Sequence, residues 1–113
     1  MIYEVFAYLD KDKGGTALVK LEDADATVIV SLMCDDKRFC VDRNAVSNAL
    51  CCVTSASGSF RIPARVEDVG RISIDLPEQA MLKGRHTCEM VITCGDGDDA
   101  YTYKTCDFYL AII

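Results

Sequence analysis

The side chains in this sequence that could do chemistry are one histidine, seven cysteines and a knot of aspartates near the C-terminus. His86 and Cys88 are two residues apart. On an extended chain such neighbours share a face but stand about 6.5–7 Å apart, whereas an imidazole that activates a thiol must lie roughly 3 Å from it. No evident partner orients the ring. The expected role of His86 is therefore a half-exposed strand histidine beside a core thiol, not a hydrolase pair. Zinc calls for ligands at short paired spacings such as C-x2-C. The sequence offers Cys34-x5-Cys40, Cys88-x5-Cys94 and the adjacent Cys51-Cys52, whose side chains point to opposite sides of a strand. Asp96, Asp98 and Asp99 lie among glycines and would suit calcium, but no glutamate closes a full binding loop. A solvated hairpin tip is expected there. The phosphate-cradling patterns G-x-x-x-x-G-K-[ST] and G-x-G-x-x-G are absent, and so is the nucleophile elbow G-x-S-x-G. No enzyme, catalytic residue, cofactor or metal is expected.

Behind these residues lies one organising stretch, GRISIDLPEQAMLKGRHTCEMVI, from Gly70 to Ile92. Ile72, Ile74 and Leu76 alternate with Arg71, Ser73 and Asp75, the period of a half-buried strand. Pro77 stops it, residues 77–82 can make one helical turn, and Gly84 ends that turn. Alternation then resumes with His86, Cys88, Met90 and Ile92 on one face. Residues 101–112 continue the pattern with Cys106, Phe108, Leu110 and Ile112 inward, and with Thr105, Asp107, Tyr101, Tyr103 and Tyr109 outward. Strands 84–94 and 101–112 predict a long hairpin, with Cys106 opposite either Cys88 or Met90.

Earlier in the chain, residues 2–9 are apolar on both faces except for Glu4, so this strand is either covered on both sides or awaits a partner. Residues 10–15, with paired glycines, read as a turn. Strands are expected at 16–22 and 26–34, the second with Val28, Val30 and Leu32 inward. Residues 35–44 read as a loop or hairpin tip, and 45–53 as a strand or a short helix. The stretch 54–59 reads as flexible and polar. Residues 60–66 read as a strand that Pro63 confines to a sheet edge. Cys34, Cys88 and Cys106 take inward positions.

Taken together, the elements predict an all-β, immunoglobulin-like antiparallel β-sandwich of about 7–8 strands with a short helical turn near 77–82, as a single domain over 1–113. Twelve Lys and Arg against eighteen Asp and Glu give a net charge of −6, which disfavours nucleic acid and anionic membrane surfaces. No apolar run approaches a membrane span. The start, MIYEVFAYLD, has no basic segment or small-residue cleavage site and reads as a strand rather than an export signal. Seven cysteines without such a signal point to reduced thiols. Polar-tipped aromatics favour protein surfaces, so the candidate partner contacts are Tyr3 and Val5 on the first strand and Tyr101, Tyr103 and Tyr109 on the last.

From about Asp12 onward the layout resembles the N-terminal domain of phage baseplate upper proteins and related virion adaptor domains. The residues that carry the likeness are ADATVIVSLMCDD (24–36), Gly70-Arg71-Ile72-Ser73-Ile74-Asp75-Leu76-Pro77, Lys83 to Met90, and Cys106-Asp107-Phe108-Tyr109-Leu110. The cysteine content departs from that pattern. The resemblance implies a non-enzymatic structural or assembly module of a bacteriophage virion, at the tail baseplate or a head fibre, assembled in the bacterial cytoplasm. It also implies contacts with other virion proteins and assembly into homo-oligomers. The alternative is a secreted or surface adhesion domain for a carbohydrate or protein ligand, which would need disulfides.

Overall fold

A computed structural model of the protein describes residues 1–11, 13–68 and 70–113. Within them lie ten strands: β1 (Ile2–Tyr8), β2 (Lys13–Val19), β3 (Thr27–Cys34), β4 (Lys37–Arg38), β5 (Val46–Ser55), β6 (Gly58–Val66), β7 (Arg71–Asp75), β8 (Gly84–Cys94), β9 (Tyr101–Lys104) and β10 (Asp107–Ile112). Helix is confined to two 3-10 turns, Glu78–Ala80 and Gly97–Asp99. The all-β sandwich and the helical turn after Pro77 are as expected. Among the described residues no helix is long and apolar enough to cross a membrane.

The strands form two layers that share β6. The first layer runs β1-β3-β7-β6 with β4 on β3, and the second runs β6-β5-β8-β10-β2 with β9 on β8. The first half of β6 pairs with β5, and residues Ala64, Arg65 and Val66 pair with β7. Pro63 sits at the change of partner, where each half of β6 is the edge of its layer and a missing N–H costs no central ladder bond. Two pairings are parallel, β1 with β3 and β2 with β10. Parallel neighbours need a crossover, and β2 supplies it. The chain leaves β1, forms β2 in the opposite layer, and returns as β3 beside β1 in the same direction.

Inward residues of both layers make one core. Val28, Val30, Leu32, Ile72 and Ile74 of the first layer are 0% exposed, as are Met90, Ile92, Phe108 and Leu110 of the second. Each such side chain is worth about 1.5–3 kcal/mol of burial.

Several local expectations differ. Gly14 and Gly15 lie inside β2 rather than in a turn, and Asp12 of that expected turn lies outside the described residues. A Cβ at Gly14 would stand 2.5 Å from the Phe6 carbonyl oxygen and 2.9 Å from Phe108 Cβ, so the glycine answers to the crossing of β1. The ambiguous 45–53 stretch is strand, and the polar 54–59 stretch is the tip of the β5–β6 hairpin. Asp35 and Asp36, with φ of 53° and 59°, make the two-residue turn between β3 and β4.

The C-terminal hairpin keeps an expected register only along β10: Phe108 lies opposite Cys88, the register that sets Cys106 against Met90. Along β9 Tyr103 lies opposite Ile92, a slip of one residue taken up at Thr105 and Cys106. The Thr105 N–H donates to the Met90 carbonyl at 3.0 Å, and its Oγ1 accepts the Met90 N–H at 2.8 Å. Thr105 is therefore buried rather than outward, while Cys106 turns aside and gives its N–H to the Tyr8 carbonyl at 2.7 Å. Of the three cysteines expected inside, Cys88 is buried but Cys34 and Cys106 are only partly so. Cys51 and Cys94 take the other core positions.

Candidate interaction face

His86 and Cys88 sit side by side on the inward face of β8, 4% and 1% exposed. The histidine is thus a core residue, not half-exposed. Its Nε2 lies 2.7 Å from the Leu82 carbonyl oxygen, which can only accept, so Nε2 carries the proton. Nδ1 is buried without a hydrogen-bond partner. The Cys88 thiol points to the His86 carbonyl at 3.9 Å, and both side chains are almost fully enclosed. On the neighbouring strand, the nearby Cys88 thiol and burial push the Cys51 thiol far above the ordinary range, so it stays protonated. All seven cysteines are free.

Among the described residues, one group of donors could gather round an ion: Asp10, Cys34 and Asp35. Its carboxylates face solvent, and Asp10 Oδ2 already accepts the Asp35 N–H at 2.9 Å. Desolvation and the two neighbouring carboxylates raise the Cys34 thiol pKa, which opposes the thiolate a metal would need. Asp96, Asp98 and Asp99 form the exposed β8–β9 tip, the solvated turn expected of them.

The slip at Thr105 separates the tyrosines. Tyr101 and Tyr103 lie opposite Cys94 and Ile92, on the side that faces the core, and Tyr103 packs edge-on to Phe39 with ring centroids 5.0 Å apart. Tyr109 lies opposite Thr87 on the outside, beneath the Arg85 guanidinium at 3.9 Å. The five expected contacts therefore do not share a face. Val5, 5% exposed, belongs to the core and is not available as a contact. Tyr3 is partly buried, accepting the Lys20 N–H at 3.2 Å and donating to Asp23 at 3.1 Å. Tyr101 remains half exposed.

The outward residues of β1 are instead Ile2, Glu4 and Phe6. Ile2 is 68% and Phe6 51% exposed, a high value for such side chains in a strand. The sequence signal for them was the doubly apolar strand, and what it lacked was the phase of the alternation. Register places Glu4 beside Ile29, and Phe6 beside Ser31 and, one strand further, Arg71. Tyr8 lies beside Met33. The outer face of the first layer thus carries an apolar band over β1 and β3. It is bordered on β7 and β6 by a polar lattice, in which Arg65 donates to Asp75 at 2.7 Å and Ser73 to Glu67 at 2.6 Å.

No protein-family model matches this sequence, and no curated protein matches it. Among solved structures, the chain is similar to one described as the N-terminal domain of phage TP901-1 ORF48. The TM-score is 0.73 with 8% identity, over 98% of this chain and 97% of that one. At so low an identity the two share a fold, from end to end.

Proposed function

We propose that this chain is a structural module of a bacteriophage virion, part of a tail baseplate or of a head-fibre attachment, that joins one virion protein to another without catalysis. The observation that carries this reading is the end-to-end fold likeness to a phage protein domain. The apolar outer band of β1 and β3 supports it, since a partner would remove that surface from water. Tyr101 and Tyr109 are further contacts for a partner on the second layer. The adhesion alternative required disulfides, and the cysteines are free.

The test is the composition of particles from a lysogen or lysate whose genome carries this gene. Peptide mass spectrometry of gradient-purified virions should recover the protein in multiple copies per particle, and immunogold should mark the tail tip or a head fibre. Virions that lack it overturn the reading.

A further inference from the structure

The outer face of the first layer carries two charged side chains of opposite sign with no ion-pair partner among the described residues. These are Glu4 on β1 and Arg71 on β7, both exposed. They lie two strands and one row apart, on either side of the Ile29–Ser31 segment of β3. Around them the apolar band presents Ile2 and Phe6, more than half exposed.

From this arrangement we infer that the face is a contact between two copies of this chain. An isologous contact brings every residue of the patch against a symmetry-related position, so it needs a self-complementary surface. A two-fold axis over Ile29 and Ser31 sets Glu4 of each copy against Arg71 of the other and closes Phe6 of both copies over the band. Overall charge favours this face over others. Glu4, Glu67 and Asp75 nearly offset Arg65 and Arg71 here, while the chain as a whole carries −6 and its remaining surface repels a second copy. Three to four strands about 4.8 Å apart and about seven residues long span only a few hundred Å², less than the roughly 800 Å² per partner of a standard interface. The dimer is accordingly weak, with a dissociation constant on the order of 100 μM. This contact uses the same apolar band that supports the virion reading, but it concerns the isolated chain, so a monomer in solution overturns it without touching incorporation into virions.

Sedimentation equilibrium on the full chain, from about 10 μM to 1 mM, reads it directly. The wild type should pass from monomer to dimer across that range. Glu4→Arg and Arg71→Glu should each weaken association about tenfold by setting like charges together, and the double exchange should recover it to within about threefold. Phe6→Ser should abolish it. All four variants alter exposed side chains, and circular dichroism should show them folded. A wild type that stays monomeric at 1 mM overturns the inference, as does a dimer indifferent to Phe6→Ser. A double exchange that fails to recover association also overturns it, since Glu4 and Arg71 would then not meet.

Discussion

At the scale of single residues, the glycine beside a crossing strand illustrates how little of its reason is local. Gly14 has no unusual backbone angle among those with positive φ; what it lacks is room for a Cβ. The Phe6 carbonyl oxygen would stand 2.5 Å from that atom and Phe108 Cβ 2.9 Å, and both belong to strands that cannot retreat without opening the core. Gly15, its neighbour, would place a Cβ no closer than 3.4 Å to anything outside its own chain neighbours. Gly14→Ala should therefore destabilise the fold by about 1–3 kcal/mol or more, the range for overpacking a well-filled site. Gly15→Ala should cost much less. Urea melts of the two variants against wild type give the comparison, and equal losses would mean that the β1–β2 crossing is not tight.

At the scale of elements, the decisive feature is the bulge at Thr105. Its hydroxyl stands in for the ladder partner that Met90 loses when the register slips. Thr105→Val keeps the shape but leaves the buried Met90 N–H without an acceptor, which should cost about 1–3 kcal/mol. Thr105→Ser keeps the oxygen and should recover most of that loss. If Val and Ser variants melt alike in urea, the hydroxyl is not what holds the bulge. The same feature marks the limit of reading elements from sequence. Alternation is a strong signal where it is unbroken, and it located the inward faces of the strands around Val28–Leu32, Ile72–Ile74 and His86–Ile92. A bulge keeps the pattern of residue types while inverting the faces, so Tyr101 and Tyr103 were placed with Tyr109 although they lie on the other side of the sheet. Parallel pairing is similarly invisible, since a strand's period does not record its direction. For β1 the sequence showed an unsatisfied apolar strand but not which half of its residues would be left outside. That phase depends on β3, which lies twenty-five residues downstream in register.

At the scale of the whole molecule, β2 pairs with β10, so nearly the entire chain lies between the two strands that close the second layer. Contacts that distant are costly to form in loop entropy and tend to make folding slow and all-or-none. The cysteines provide a native probe of that cooperativity. Cys51, Cys88 and Cys94 are buried at 0%, 1% and 0%, while Cys40 is exposed and Cys34, Cys52 and Cys106 are partly so. The three buried thiols belong to β5 and β8, in the middle of the second layer, and no local fraying of a strand end uncovers Cys51 or Cys88. For Cys51 the raised pKa adds to the protection, because only a thiolate reacts and the neighbouring Cys88 thiol and burial both hold its proton. Pulsed thiol labelling read by mass spectrometry should therefore give two classes. Cys40 reacts first with the partly exposed three behind it, and Cys51 and Cys88 react together at the rate of global unfolding. Adding urea should speed the second class with the full denaturant dependence of the melt and leave the first nearly unchanged. Separate rates for Cys51 and Cys88 would mean that the second layer opens piecemeal. Only a layer closed as one unit, with β2 clasping β10, makes those thiols appear in the same instant.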